Sequence, residues 1–210
     1  MTPRGAATKL RIVETAAKLV YAKGAERMSL DEVMEASRTS KSQLYHYFTD
    51  KDALVREVID FQTRRILQAN AIHLDRLDSF VALRAWRDWV VAANRAGGRV
   101  GGCPIGSLAN ELATQSEEAR DLLVTSFEAW SGIIEAGLAR MKEQGQIIPS
   151  ADTQAISLAV LAAIQGGILL SKAARDSKPL ELAFDMALSH IERYAARSAS
   201  SQESSGLRGN

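Results

Sequence analysis

The chain has 210 residues, 46% of them hydrophobic and 24% charged, which is ordinary for a globular protein and excludes disorder over most of its length. The formal net charge of +1 favours no class of partner, but residues 1–13 carry Arg4, Lys9 and Arg11 and no acid, so positive charge gathers near the amino terminus. Cys103 is the only cysteine in the sequence, which excludes an internal disulfide and a metal site built from several cysteines.

The beginning of the sequence lacks the apolar stretch of a signal peptide. The longest apolar runs are interrupted by Gln, Ser or Gly before they reach membrane-spanning length. Together with the single cysteine, these features predict a cytoplasmic protein with no membrane partner.

The first predicted helix follows a short polar arm at residues 1–7 and begins at Thr8. From there, apolar residues recur three and four positions apart, which is the helical period. We expect Gly24 to end this helix in a left-handed conformation. Because the alternation typical of strands is nowhere sustained, the chain is predicted to be all-α.

Two short helices joined by a brief turn are predicted within residues 28–48. Ser29 and Glu32 form a capping box, a pattern that starts a helix. Ser40 and Gln43 form a second box only a few residues later. A gap this short makes the two helices neighbours at a steep angle, which is typical of a helix-turn-helix.

The second of these helices has an apolar face and a polar face. Leu44 and Phe48 lie four residues apart and share the inward face. Residues 36–49 contain bases and no acid, as a surface that meets phosphates requires. Taken alone, these features are equally typical of the solvated face of an ordinary helix. The polar side chains able to reach a DNA groove are Ser42, Gln43, Tyr45 and His46.

The residues around this helix resemble a known family. Residues 39–48 read Thr-Ser-Lys-Ser-Gln-Leu-Tyr-His-Tyr-Phe and residues 50–54 read Asp-Lys-Asp-Ala-Leu, and both runs resemble the signature of TetR-type repressors. The run Gly-Cys-Pro-Ile-Gly-Ser-Leu at residues 102–108 is similar to the LmrA/YxaF-like branch. The resemblance implies a three-helix DNA-binding domain at residues 1–50 and a larger helical ligand-binding and dimerisation domain at residues 51–197.

The resemblance also implies which residues contact double-stranded DNA at a palindromic operator, with Arg4 as an arm contact. The Gln43 amide suits adenine, whereas Lys41 and Lys51 suit phosphates. Tyr45 and His46 suit the DNA backbone or a thymine methyl. The complete set of expected DNA-contacting residues is Arg4, Ser29, Arg38, Ser40, Lys41, Ser42, Gln43, Tyr45, His46 and Lys51.

Arg38 departs from the family pattern, which usually has glycine in this turn. An arginine tolerates a positive φ angle poorly, so either the turn differs or Arg38 carries strain. A contact between its guanidinium and a phosphate would compensate for that strain.

The remaining helices are predicted at about residues 51–74, 78–96, 105–114, 117–143, 151–174 and 179–196. The resemblance implies that the last two pair with their copies in a second chain as a four-helix interface, with Leu169 and Leu188 as contacts; an internal core is the alternative. Residues 198–210, rich in Ser and Gly, are expected to form a disordered tail.

An aromatic face recurs in the predicted helices of the second domain. Core packing is the usual explanation for such a face, and a ligand cavity is the alternative. The resemblance places effectors inside this domain, and we expect a flat, largely apolar or aromatic small molecule. The expected ligand-binding residues are Trp86, Trp89, Cys103, Asn110, Phe127, Trp130 and Gln165.

Enzymatic activity has weak support in the sequence. The three histidines have no metal-ligand spacing, and the glycines of residues 97–106 lack the spacing of a nucleotide-binding loop, so neither a metal nor a cofactor is expected. Cys103 precedes a helix, which can lower a thiol pKa, but a lone cysteine is more often inert. Two classes stay open: a ligand-responsive DNA-binding repressor, and a helical enzyme or adaptor with an incidental helix-turn-helix.

Overall fold

The computed structural model describes residues 2–96 and 102–196 and folds them into helices without a regular strand. In chain order the helices are α1 (Pro3–Lys23), α2 (Leu30–Ser37), α3 (Lys41–Tyr47), α4 (Lys51–Leu74), α5 (Phe80–Ala96), α6 (Pro104–Leu112), α7 (Glu117–Glu143), α8 (Thr153–Ala174) and α9 (Lys178–Glu192). The all-α prediction is confirmed. Helix α1 packs against α2 and α4, α7 packs against α4 and α8, and α8 lies along α9.

Helix α1 begins earlier than the apolar periodicity predicted. The Thr2 hydroxyl accepts a hydrogen bond from the Gly5 N–H at 3.2 Å, and Pro3 occupies a position where its missing N–H is harmless. The predicted polar arm at residues 1–7 is therefore wrong, and Arg4 lies in the first helical turn. Gly24 ends the helix, as predicted, and has a positive φ of 92° that favours glycine, although its ψ of 158° lies outside the left-handed helical region.

Both capping boxes of the helix-turn-helix are present. In α2 the Ser29 N–H donates to the Glu32 carboxylate at 3.0 Å, and the Ser29 hydroxyl accepts from the Glu32 N–H at 3.3 Å. In α3 the Ser40 N–H donates to the Gln43 side-chain oxygen at 3.0 Å, and the Ser40 hydroxyl accepts from the Gln43 N–H at 3.2 Å. Side chains within three residues of each helix start thus satisfy backbone groups that would otherwise have no partner.

The later helices agree with the sequence in type and differ at some ends. Helix α9 ends at Glu192 rather than near residue 196, because the chain turns back and Ala195 pairs with Ile147 in an isolated antiparallel bridge. Helix α8 follows Asp152, whose carboxylate caps it by accepting from the Ala155 N–H at 3.0 Å. The predicted stop of α5 at residues 97–98, the glycine run from residue 97 to residue 101 and the predicted tail at residues 198–210 lie outside the described residues.

Helices α7 and α8 are apolar enough, by length and composition, to cross a membrane, with mean hydropathies of 1.2 and 1.7. Polar residues still interrupt the apolar run of each helix, and core helices of proteins outside membranes have the same length and composition. In each helix, one third of the most apolar 18-residue stretch is buried within this fold. A Cβ at Gly167 of α8 would lie 2.8 Å from the Leu180 Cα, so this glycine permits the close packing of α8 on α9.

Candidate DNA interface and ligand cavity

Helix α3 buries one face and presents the other to solvent. Leu44 is fully buried and Phe48, directly after the helix, is 2% exposed, so both side chains belong to the hydrophobic core and anchor α3 to it. The predicted DNA-contacting residues of α3 and its amino-terminal cap are all exposed, and no acidic side chain interrupts them. This surface has the charge and polarity that a DNA groove requires. It consists of Ser40, Lys41, Ser42, Gln43, Tyr45 and His46.

The capping boxes engage three of the predicted DNA contacts, Ser29, Ser40 and Gln43. Gln43 uses its amide oxygen to accept from Ser40, but an amide oxygen has a second lone pair and the amide nitrogen has two donors, so adenine recognition remains compatible with the cap. Ser29 both accepts from the Glu32 N–H and donates to the Glu32 carboxylate at 2.8 Å. Hydrogen bonds from Lys23 and Ser29 lower the Glu32 pKa to about 2, so this box is charged at neutral pH.

The turn between α2 and α3 is held by residues that the sequence analysis missed. Arg11 of α1 donates from Nε to the Ser37 carbonyl oxygen at 2.9 Å, and the hydroxyls of Ser37 and Thr39 share a buried hydrogen bond of 2.7 Å. Arg38, between them, has φ 53° and ψ 48° and is exposed. Of the two alternatives that the sequence left open at Arg38, the structure has backbone strain, because a non-glycine residue adopts a left-handed conformation here.

The lysines near α3 have different surroundings. Lys51, the first residue of α4, donates from Nζ to the Glu26 carbonyl oxygen at 2.7 Å, so its charge is already anchored to the turn before α2. Lys41 is exposed and its Nζ lies 5.9 Å from the centre of the Tyr45 ring. Lys41 is consequently free to reach a phosphate, whereas Lys51 must share its ammonium group.

A cavity of about 920 Å³ lies where α1, α4 and α5 meet the amino-terminal end of α6 and parts of α7 and α8. Of the predicted ligand-binding residues, Trp89, Cys103 and Trp130 line it. The sequence analysis missed the contribution of α1 and α4, because these helices carry no aromatic-rich pattern. Their lining residues include Leu10, Tyr21, Phe61, Gln62, Ile66 and Asn70.

The other predicted ligand-binding residues do not line this cavity. Trp86 is fully buried, donates from Nε1 to the Asn70 side-chain oxygen at 2.9 Å and packs edge-on against Phe184, so it belongs to the core. Asn110 is exposed on α6, and Phe127 is half-buried against the core. Gln165 lies beside the cavity wall, and a Cβ added to Gly106 would lie 2.8 Å from its side-chain oxygen.

The Cys103 thiol lies in an environment that disfavours the thiolate. The side chain is 8% exposed, and burial raises the pKa of the thiol. Burial also raises the pKa of Tyr21, whose hydroxyl donates to the Gly102 carbonyl oxygen at 3.4 Å. Both groups are therefore neutral at physiological pH, and they offer a ligand polarity without charge.

Two segments of the chain match known families. Residues 12–58 match the bacterial regulatory proteins of the tetR family, and residues 80–186 match the C-terminal domain of LmrA/YxaF-like transcriptional regulators. The chain belongs to the TetR family. As a TetR-family protein of the LmrA/YxaF-like type, it is a helix-turn-helix transcriptional regulator and not an enzyme.

Individual relatives of this TetR-family chain agree over most of its length. An uncharacterized HTH-type transcriptional regulator in the lacX 3′ region of Lactococcus lactis subsp. lactis is 30% identical, covering 90% of this chain and 96% of its own. The HTH-type transcriptional regulator LmrA of Bacillus subtilis (strain 168) is 26% identical, covering 81% of this chain and 89% of its own. A TetR-family regulator from Cytophaga hutchinsonii has the same fold, with a TM-score of 0.81 at 19% identity over 94% of this chain and 100% of that one.

The TetR-family chain has an exposed apolar surface on its last two helices. Leu169 of α8 is 58% exposed and Met186 of α9 is 65% exposed. Leu188, which the sequence analysis assigned to the same surface, is only 7% exposed and belongs to the core, because it lies on the side of α9 that faces the rest of the chain. The large apolar side chains exposed on these two helices are Leu158, Leu169, Leu170, Leu182 and Met186.

A contact from α6 reaches the helix-turn-helix segment of this TetR-family regulator. The Glu111 carboxylate accepts hydrogen bonds from the backbone N–H groups of Ala25 and Glu26 at 2.9 and 2.6 Å. Those two residues form the turn that follows Gly24 and precedes α2. Because Lys51 holds the Glu26 carbonyl oxygen, the turn is bound from two sides.

Proposed function

We propose that this TetR-family regulator is a repressor that leaves a palindromic operator when a small planar, apolar or aromatic molecule occupies the 920 Å³ cavity. The observation that carries the proposal is the position of α1. This helix forms a wall of the cavity, and through Arg11 it also holds the turn of the helix-turn-helix. A molecule in the cavity thus touches the element that positions α3, and a two-state change follows if it prefers one arrangement of α1.

The proposed domain division follows from the same elements. Residues 1–50, with α1 to α3, form the DNA-binding domain, and residues 51–197, beginning at the first residue of α4, form the ligand-binding and dimerisation domain. In the proposed complex α3 enters the major groove, where Gln43 reads a base and Lys41 meets a phosphate. We place the protein in the cytoplasm, where operator DNA is accessible.

The proposed active form is a homodimer joined through α8 and α9. The exposed leucines of α8 are interspersed with small residues, Ala159, Ala162 and Gly166, which would allow a second helix to approach closely. A two-fold axis through this surface repeats the same apolar patch on both chains, as a closed dimer needs. Two copies of α3 spaced about 34–36 Å apart would then read successive turns of one DNA face.

The operator can be identified by capturing genomic fragments on the purified protein and sequencing them. With that operator, Gln43→Ala should lose about 1–3 kcal/mol of preference for operator over scrambled duplex, because the base contact is gone. Lys51→Ala should weaken binding to both duplexes alike, because it removes a phosphate contact and the hydrogen bond to the Glu26 carbonyl oxygen, and neither of these reads sequence. Fluorescence anisotropy at two salt concentrations measures both effects.

The ratio of the affinities for operator and scrambled duplex separates the loss of base reading from the loss of the α3 cap. Losing the cap lowers the affinity for every sequence and leaves this ratio unchanged. If Gln43→Ala weakened both duplexes equally, its role in base reading would be excluded. A parent protein that shows no salt-dependent affinity for any captured fragment would refute the proposed repressor function.

A further inference from the structure

One polar side chain in the wall of the cavity is buried without a hydrogen bond. Gln62 of α4 is 7% exposed and lines the 920 Å³ cavity. Among the described residues none bonds to its amide, although Thr63 and Asn70 of the same helix are both hydrogen-bonded. The other polar side chains buried in this part of the chain all form hydrogen bonds within the protein. They are Ser37, Thr39, Asn70, Ser126, Ser157, Ser171 and Ser177.

The amide of Gln62 is also open to contact. Surrounding atoms seal off three other unpaired polar atoms of the described chain, namely Trp130 Nε1, Arg140 Nε and Gln165 Nε2. Neither amide atom of Gln62 is sealed in this way, so both retain surface that a small molecule can touch. Buried polar groups are nearly always paired with protein, water or a ligand, so an accessible amide without a protein partner indicates a binding position.

Gln62 lies where two cavities meet. A second cavity, of about 290 Å³, shares four lining residues with the larger one, Ala17 and Tyr21 of α1, Gln62 of α4 and Pro104 of α6. The amide of Gln62 therefore lies next to α1, and a ligand that binds it also contacts that helix.

The other polar side chains of the larger cavity are engaged or more exposed. The Asn70 oxygen accepts from Trp86 at 2.9 Å, and the Asn70 amide nitrogen donates to the Ile66 carbonyl oxygen at 2.8 Å. The charged residues that line this cavity are all exposed; they are Glu14, Lys18 and Arg65. Gln62 thus combines burial with a free donor and a free acceptor.

The chemistry of a primary amide defines the ligand group. Its oxygen accepts and its nitrogen donates along one planar edge, so it forms two hydrogen bonds with a group that presents a donor beside an acceptor. A carboxylate would accept from the nitrogen but leave the Gln62 oxygen unpaired, and a neutral amide compensates a buried charge poorly. A neutral lactam satisfies both amide atoms.

We propose that the effector carries a lactam-like edge, a carbonyl oxygen beside an N–H, on a planar apolar body, and that this edge pairs with the Gln62 amide. This inference rests on the proposed function, since it assumes that the cavity is the effector site. The paired edge lies beside α1, the helix that holds the turn of the helix-turn-helix through Arg11. A lactone of the same shape has an oxygen in place of the N–H, and a site built around a hydrogen bond discriminates against such an analogue.

The probes for the test are phenanthridin-6(5H)-one, a lactam, and 6H-benzo[c]chromen-6-one, the lactone of nearly the same shape. Equilibrium dialysis gives the dissociation constant of each probe for the parent, Gln62→Met and Gln68→Met. Methionine keeps the length and helix propensity of glutamine and removes its amide. Gln68 is the matched control, because it is exposed on the same helix and does not line the cavity.

Comparing the ratio of the two constants between proteins cancels the different hydrophobicity of the probes. We expect the relative preference for the lactam to fall about fivefold in Gln62→Met, the value of one ordinary hydrogen bond, and to stay unchanged in Gln68→Met.

A second measurement follows the side-chain amide in the parent protein, so that it is independent of the stability of any variant under ligand. The ¹⁵N-labelled amide resonances of Gln62 are assigned from the pair of peaks that Gln62→Met lacks, or by standard triple-resonance methods. We expect phenanthridin-6(5H)-one to move one Gln62 amide proton downfield, as a new acceptor does. Phenanthrene, which has similar rings and no carbonyl group, should cause no such shift.

The outcomes distinguish the two levels of the proposal. If the probes bind the parent but the lactam preference is the same in Gln62→Met and the Gln62 resonances ignore the carbonyl group, the lactam inference is overturned and the cavity remains a ligand site. If no probe binds the parent, the proposed effector cavity for planar apolar molecules fails, and the lactam inference fails with it.

Discussion

At the scale of single residues, two arginines occupy the left-handed region of backbone conformation. Arg38 ends α2 with φ 53°, and Arg175 ends α8 with φ 54°. Such a conformation costs a non-glycine residue roughly 1–2 kcal/mol. The two positions therefore carry the same backbone strain, and only Arg38 lies beside the exposed face of α3.

Replacing either arginine by glycine should raise the free energy of unfolding slightly. The relief of strain exceeds the extra freedom that glycine has in the unfolded chain, about 0.4–1 kcal/mol, so we expect a net gain of about 0.5 kcal/mol in each variant. Arg38→Gly should also weaken binding to operator and scrambled DNA alike and reduce the salt slope by about 1, because a phosphate contact is lost.

Denaturant unfolding and DNA titrations at several salt concentrations measure these effects, and Arg175→Gly is the matched control. Equal DNA affinity of Arg38→Gly and the parent would show that arginine at this turn has no role in binding. A clear loss of stability in both variants would show that the guanidinium groups make favourable interactions that outweigh the strain.

Cys103 illustrates how burial outweighs a local effect at one residue. Its position before α6 suggests a thiolate stabilised by the helix amino terminus, and its Sγ does accept a hydrogen bond from the Gly106 N–H at 3.4 Å. Desolvation is nevertheless the larger effect and raises the thiol pKa. The neutral thiol is therefore part of an apolar cavity wall rather than a reactive group.

At the scale of helices, α6 connects the cavity with the DNA-binding segment. Pro104 at its first turn lines the cavity, and Glu111 at its last turn holds the turn at Ala25 and Glu26. A helix of this length is stiff, so a displacement at one end is transmitted to the other. We therefore expect Glu111 to maintain the arrangement of α1 and α2 that binds DNA.

Glu111→Ala should weaken operator binding about fivefold, a coupling free energy of about 1 kcal/mol, while α3 keeps its sequence preference. The same variant should increase hydrogen exchange at the Ala25 and Glu26 amides, because their acceptor is gone. Glu118→Ala, on the exposed surface of α7, is the control. Unchanged exchange at those two amides in Glu111→Ala would refute the structural role of this contact, and unchanged operator affinity would refute its coupling role.

At the scale of the whole molecule, we propose that the exposed apolar surface of α8 and α9 decides the state of assembly. Leu169→Glu and Met186→Glu place a charge on the proposed dimer surface, where the monomer leaves both positions exposed. We expect folded monomers with greatly reduced operator affinity, because α3 of one chain no longer gains from the binding of α3 in a second chain. Sedimentation velocity gives the mass, and circular dichroism reports the fold.

Leu188→Glu provides the contrast, because Leu188 is buried within the chain. A charge at this position should destabilise the monomer itself by about 3 kcal/mol or more and reduce the helical signal. If Leu169→Glu and Met186→Glu both sediment as dimers while folded, the interface lies elsewhere.

The sequence by itself determined the features that depend on contacts within one helical turn. The capping boxes that begin α2 and α3 were both predicted because the bonding partners are three residues apart. The runs around α3 were also sufficient to indicate the family, because residues 39–48 and 50–54 resemble the signature of TetR-type repressors.

Only the tertiary structure decided which side chains share a cavity and which side of a helix is covered. Trp86 and Trp89 have similar sequence surroundings, yet the indole N–H of Trp86 is hydrogen-bonded in the core and Trp89 borders the cavity. Leu169 and Leu188 both fit an apolar stripe, yet only Leu169 is exposed. Periodicity identifies an apolar face, but whether that face meets the same chain, a second chain or an empty space depends on where distant helices pack.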